Sequence, residues 1–412
     1  MHMQGAGVVR SSRGAMVLTT GLFFLWGMAN NLNDVLIAHF RHVFSLSDFQ
    51  SGLVQSAFYL GYFCFAIPAA LAAERLGYKA TVIVGLLLFG GGALLFLPAS
   101  MHLSYTFFLF ALFVIASGLA FLETAANPMV VVMGPAEGSA QRLNLAQAFN
   151  PLGSIAGVAL GATLILSDAP QQGAANIMEG GAAAVRLPYL GIAAIVLGWA
   201  ALLAFTRFPR AATQAEGSGG SALVGYGALL RRPRYLAGVA AQFFYVGAQV
   251  GIWSYLIRYA QSVAPGIGAQ KAAWLLTLSL AIFMIGRFAG AALLARVDGA
   301  RLMALFATIN VALSLVAVTG GLVGLAALVA TSFFMSILYP TIFVLSLRGL
   351  GPLTKAGASM IVMAIIGGAV LTMAMGLVSD LTGTIRAAML VPALCFAIVA
   401  LYARSALRER PA

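Results

Sequence analysis

The chain has 412 residues, 61% of them hydrophobic and only 8% charged, with a formal net charge of +12. Soluble domains carry about 25% charged residues, so this composition excludes a water-soluble globule and points to an integral membrane protein. The positive charge fits the Lys/Arg excess of cytoplasmic loops rather than a nucleic-acid partner, and no such partner is expected.

Continuous apolar runs of roughly 20 residues or more are long enough to cross about 30 Å of hydrocarbon. The short alternating segments of a transmembrane barrel are absent. In chain order the runs predict spans at 16–40, 50–73, 79–99, 105–131, 142–166 and 187–206, then 235–260, 270–294, 301–319, 322–347, 356–378 and 386–404. The first run is too long, and lacks a small-residue cleavage site, for a removable leader peptide. Cys64 and Cys395 both fall in apolar spans and suggest neither a disulfide framework nor a metal site. No His forms a metal-ligand pattern, and no cofactor is expected.

The spans divide the chain into an N-terminal six-helix half (1–206), a cytoplasmic linker (207–234) and a C-terminal six-helix half (235–412). The linker centre, Thr213-Gln214-Ala215-Glu216-Gly217-Ser218-Gly219-Gly220-Ser221, reads as flexible. With both termini in the cytoplasm, most of the 23 Lys and Arg residues fall on the cytoplasmic side. The outer loops then hold only Arg41, Arg186, Arg258, Lys271 and Arg386, and Arg287 is left inside a span near its cytoplasmic end, where it reads as structural. The expected fold is all-α integral membrane, with twelve transmembrane helices in two six-helix halves. Two such parallel halves resemble the major facilitator fold. Ala70-Leu71-Ala72-Ala73-Glu74-Arg75-Leu76-Gly77-Tyr78-Lys79 is similar to that superfamily's basic loop between spans two and three, in degraded form. Its expected role is to pin helix ends.

Two carboxylates sit inside apolar runs, Asp34 in the first span and Glu123 in the fourth. A charge at bilayer depth costs about 3 kcal/mol or more and usually faces a partner or a transport pathway. Asn30 and Asn31 lie four and three residues before Asp34, so the three share a helix face, with Trp26 a turn earlier. Asp34 lies about 18 residues into its span, in the outer half. A helix-end Asp reaching the outer surface is the competing reading. Glu123 and Asn127 are also four apart, and Pro128 removes a backbone donor just beyond them. A structural pairing of Glu123, with Arg142 as partner, competes there. In the fifth span Asn144, Gln147 and Asn150 recur every third residue as a polar stripe, and Gly153 and Gly157 supply small residues for close helix packing. A purely structural amide network is the alternative.

The seventh span, from Gln242 to Tyr255, carries amides and aromatics but no acid. A cavity lined by amides, carboxylates and aromatic rings suits a sugar, whose hydroxyls both donate and accept. Gln249, Trp253 and Tyr339 are the second half's candidates, although core packing is the ordinary role of any one aromatic residue.

Longer motifs carry a specific resemblance. Phe23-Phe24-Leu25-Trp26, Asn30-Asn31-Leu32-Asn33-Asp34, Leu122-Glu123-Thr124-Ala125-Ala126-Asn127-Pro128, Leu143-Asn144-Leu145-Ala146-Gln147, Trp253-Ser254-Tyr255-Leu256-Ile257-Arg258-Tyr259 and Tyr339-Pro340-Thr341-Ile342-Phe343 resemble the bacterial L-fucose–proton symporter family. That family includes glucose/galactose and N-acetylglucosamine permeases, and the resemblance covers nearly the whole chain. It implies that Asp34 is the main protonation site and that Glu123 contacts sugar and couples to proton transfer. It also implies that Asn31, Gln147 and Asn150 bind sugar with Trp26 nearby, and that Tyr339 and seventh-span aromatics close the site. Val250-Gly251-Ile252 departs from the fucose symporter pattern, which leaves the choice of sugar open.

The implied protein is a proton-coupled importer of a monosaccharide, working by alternating access as a monomer in the bacterial inner membrane. Sodium in place of the proton is an alternative, because carboxylate and amide oxygens also ligate sodium. An exporter of small metabolites would more often have an apolar cavity. A membrane enzyme would need a nucleophile–base pair or metal cluster, and the spans offer none.

Overall fold

The computed structural model describes residues 14–29, 36, 40, 43–44, 48–135, 138–160, 182–209, 213, 222–264, 267 and 269–408. Among these residues the regular structure is entirely helical. The path runs through α1 (Gly14–Ala29), α2 (Asp48–Leu94), α3 (Phe96–Met101), α4 (Tyr105–Val132), α5 (Ser139–Gln147), α6 (Phe149–Leu160) and α7 (Arg186–Phe205). It continues through α8 (Ala222–Leu230), α9 (Pro233–Val263), α10 (Ala269–Leu294), α11 (Gly299–Thr319), α12 (Gly321–Met335), α13 (Leu338–Leu347), α14 (Thr354–Met363), α15 (Gly367–Thr382) and α16 (Leu390–Arg408). Nine described helices are long and apolar enough to cross a membrane, and Gly14–Ala29 is a shorter apolar one.

Several expected spans have a different local form. Spans two and three are one helical path, α2, interrupted at Gly77, where φ is 78° and ψ is 168°. That backbone region is essentially reserved for glycine, so one Gly does the work expected of a loop. Two residues on, Lys79 Nζ donates to the carbonyls of Ala204 and Thr206, each at 2.9 Å. A cation there satisfies carbonyls that the end of α7 leaves without helical partners. The same ammonium lies 5.6 Å from the centre of the Phe208 ring. The loop therefore pins a helix end, as its basic character predicts.

The tenth span is broken between α12 and α13, just ahead of Pro340. Proline supplies no N–H to the preceding turn and crowds it. The eleventh span passes through a 3-10 turn, Ala364–Ile366, between α14 and α15. Elsewhere the ends follow ordinary capping. Ser104 Oγ accepts from the Phe107 N–H at the start of α4, and Asp298 Oδ1 accepts from Ala300 and Arg301 at the start of α11. Within 207–234 the chain forms α8, whose Tyr226 hydroxyl pairs with Ser359 Oγ of α14 at 2.8 Å.

The contacts group the chain into two compact units. One comprises Met1–Gly134 with Phe149–Ala222, and the other comprises Pro135–Ala148 with Leu223–Ala412. The short helix α5, from the first sequence half, thus packs on α10 and α13 inside the second unit.

In the first unit glycines bring backbones together. A Cβ on Gly85 of α2 would press on the Gly118 carbonyl of α4, and one on Gly118 would press back on Gly85. Rings of Phe96 and Tyr189 stack with centroids 3.6 Å apart. In the second unit the core is built round fully buried Tyr245, Tyr259, Phe343 and Phe396. The phenols there find partners as burial requires. Tyr259 donates to the Ala317 carbonyl at 2.5 Å and Tyr245 to the Met335 carbonyl at 2.9 Å.

Candidate functional site

In the first unit, α4 is apolar along most of its length, yet Glu123, Thr124 and Asn127 on it are all buried. Asn127 Nδ2 donates to the Glu123 carbonyl one turn back, at 3.1 Å. This bond fixes the Asn127 amide on the same helix face as the Glu123 side chain, ahead of Pro128. A buried carboxylate is costly when charged unless it is paired.

Trp26 is buried on α1, its ring 5.8 Å from that of Phe23. Its indole N–H has no hydrogen-bond partner among the described residues. Asn150, half-buried at the start of α6, donates from Nδ2 to the Phe23 carbonyl at 3.3 Å. Asn30, Asn31, Asn33 and Asp34 lie outside the described residues.

The second unit holds a continuous string of polar and aromatic groups. Gln147, at the end of α5, is buried, and its Oε1 accepts from Arg287 Nη1 of α10 at 2.7 Å. The Arg287 guanidinium lies over the Phe283 ring, 4.8 Å from its centre, one turn back on the same helix. Phe283 in turn meets the Trp253 ring edge-on at 5.0 Å. Trp253 Nε1 donates to Ser332 Oγ at 3.1 Å, and Ser332 pairs with Ser279 at 2.5 Å. Two expected substrate residues, Gln147 and Trp253, are thus joined through Arg287 and Phe283.

Tyr339 is also buried in this unit, its ring 6.4 Å from that of Tyr245. Gln249 is half-buried on α9. The stripe expected of Asn144, Gln147 and Asn150 divides its tasks, because the helix is interrupted at Ala148. Asn144 donates to the Ala140 carbonyl at 2.9 Å, Gln147 receives Arg287, and Asn150 reaches Phe23.

Two further buried polar residues stand out: Arg287, which the sequence reads as structural, and Gln242 of the seventh span. Arg287 is only 5% exposed and belongs to the string just described. Its signal in the sequence was the rule that an ionisable residue inside a span is functional by default. Gln242 on α9 is fully buried, and neither its amide oxygen nor its nitrogen has a hydrogen-bond partner among the described residues. Those residues contain no cluster of three or more His, Cys, Asp or Glu able to hold a metal ion.

Residues 18–367 match the Major Facilitator Superfamily. The chain is 47% identical over 414 residues to the L-fucose-proton symporter of Escherichia coli (strain K12), which covers 97% of this chain and 94% of the relative. It is 36% identical over 390 residues to the glucose/galactose transporter of Brucella abortus biovar 1 (strain 9-941), covering 94% of this chain and 93% of that one. The crystal structure of the Major Facilitator Superfamily transporter FucP in the outward conformation matches with a TM-score of 0.89 at 46% identity, over 97% of this chain and 100% of that one. The proton:xylose symporter XylE matches with a TM-score of 0.70 at 13% identity, over 97% and 96% of the two chains, a likeness of fold alone. The long apolar helices and the full-length likeness agree: the chain is a multi-pass membrane protein of the Major Facilitator Superfamily, in the family of the L-fucose-proton symporter.

Proposed function

We propose that the protein imports a monosaccharide, L-fucose or a related hexose, in symport with a proton. It is a carrier, not an enzyme, as its relatives' names indicate, and in this reading it works by alternating access. The observation that carries this reading is Glu123. It is a carboxylate 1% exposed in an apolar helix, with Asn127 bonded one turn away, in a chain 47% identical to an L-fucose-proton symporter. L-Fucose is the first sugar to test because the 47% match is to an L-fucose-proton symporter; at 35–36% identity the relatives include both an L-fucose-proton symporter and a glucose/galactose transporter, so the related hexoses stay in the panel.

In this reading Asp34 takes the proton from outside, and Glu123 joins sugar binding to proton transfer. Asn31, Asn127, Gln147, Asn150 and Gln249 supply hydrogen bonds, while Trp26, Trp253 and Tyr339 supply apolar faces for the sugar ring. The coupling ion is H+, with no resident cofactor; sodium is the alternative that the experiment separates. The protein acts as a monomer in the bacterial inner membrane, with both termini cytoplasmic. One proton moving down the membrane potential supplies about 2.3 kcal/mol per 100 mV.

Cells lacking their own fucose carrier and expressing this chain should take up labelled L-fucose and alkalinise a weakly buffered, sodium-free medium as they do so. Uptake that appears only when sodium is added, with no pH change, would replace the proton by sodium. No uptake of L-fucose, D-galactose or D-glucose would overturn the reading.

A further inference from the structure

Arg287 is a cation held in the interior of the second unit by contacts of two kinds. Nη1 donates to Gln147 Oε1 at 2.7 Å, and the guanidinium lies over Phe283, 4.8 Å from its centre. Its Nε–H, also buried, has no acceptor among the described residues. Arginine is only ever a donor, and it stays charged inside proteins. Two consequences follow from that chemistry.

The first concerns Gln147. An amide facing a guanidinium must present its oxygen, because the alternative would set donor against donor. The Gln147 amide is therefore oriented by Arg287, and toward any sugar it acts through its NH2. The second concerns Arg287 itself. A buried charged donor left without an acceptor is costly, and a neutral polyol offers oxygens that would satisfy it without bringing a second charge. Phe283 and Trp253, which meet edge-on beside it, supply the apolar surface that a sugar ring covers.

We propose that Arg287 is a specificity-determining residue of the sugar site. It donates from Nε to one sugar oxygen and holds Gln147 as a donor to a neighbouring one. This rests on the sugar-carrier reading above and extends it to a residue that reading does not use. The site should then demand acceptor oxygens at two positions of the sugar, and removal of either oxygen should be felt.

The test is binding by calorimetry to the purified full chain. It uses whichever of L-fucose, D-galactose and D-glucose binds wild type most tightly, together with the monodeoxy analogues of that sugar, and compares wild type, Arg287→Lys and Arg287→Met. Wild type should lose about 10-fold to 100-fold in affinity for the analogue lacking the oxygen that Arg287 contacts, the range for a hydrogen bond to a charged group. Arg287→Met should bind the parent sugar weakly by a similar factor and no longer distinguish it from that analogue. Arg287→Lys should fall between, because a point charge replaces a planar fork.

A folded Arg287→Met that binds the parent sugar as wild type does would overturn the proposal. So would one that weakens every sugar equally and keeps wild-type discrimination, the mark of a merely structural residue. Should Arg287→Met not fold, Arg287→Lys decides alone: a wild-type profile across the panel overturns the proposal, and reduced discrimination at one position supports it. Wild type that binds none of the three parent sugars overturns the carrier reading itself and this extension with it.

Discussion

Gly153 lies so close to Phe24 that a Cβ on Gly153 would collide with the Phe24 carbonyl. The same crossing of α1 and α6 continues at Gly157, whose Cβ would collide with the Met28 carbonyl, and at Gly27, which faces the Asn150 carbonyl. Asn150 then reaches from this crossing to the Phe23 carbonyl at 3.3 Å. In lipid, where apolar burial gives little drive for helix association, backbone contact through small residues supplies the packing. Phe23 and Asn150 are thereby held in register by three glycines.

Gly153→Leu should therefore push α1 and α6 apart. Forcing a side chain into packed space costs about 1–3 kcal/mol in ordinary cores, and here the obstacle is backbone rather than a movable side chain. The expected result is a clearly lower melting temperature in detergent and loss of transport. Gly191→Leu serves as control, because a Cβ at Gly191 meets nothing within 4 Å, and it should melt as wild type does.

Lys79 offers a milder case. Its two bonds to the Ala204 and Thr206 carbonyls cap the end of α7. The site is partly exposed, so solvent weakens the charge interaction. Lys79→Met should cost about 0.5–1 kcal/mol, read as a small fall in thermal stability with sugar binding intact. Lys79→Arg, which keeps the charge and adds donors, should recover most of the loss.

The two carboxylates should fail differently. Asp34→Asn should abolish accumulation of labelled sugar against a gradient while sugar exchange across the membrane survives, because the protonation step is removed and the binding groups are left. Glu123→Gln keeps the size of the buried side chain and removes its titration. It should abolish accumulation and also weaken sugar binding, by roughly tenfold for one altered polar contact. Equal loss of exchange in both variants would show that the two residues do not divide the work.

Much of this was legible in the sequence. The apolar runs announced helices, because a backbone in hydrocarbon must satisfy its own hydrogen bonds, and Gly153 and Gly157 announced a close crossing. The buried polar face of Glu123 and Asn127 followed from their spacing of four.

Finer breaks were less legible. Hydropathy does not register that Gly77 turns the chain by its backbone angles alone, nor that the helix is interrupted at Ala148, between Gln147 and Phe149. Arg287 was read as structural because it lies near the cytoplasmic end of its span. Its partner, Gln147, is 140 residues away in the chain, a distance no local pattern spans.

Coupling of sugar movement to a proton is read most simply in purified protein reconstituted into sodium-free liposomes. With the outside made more acidic than the inside, labelled L-fucose should rise transiently above its external concentration, and the lumen should acidify in step. Sugar that only equilibrates, with the same time course with and without the pH gradient, would contradict the account.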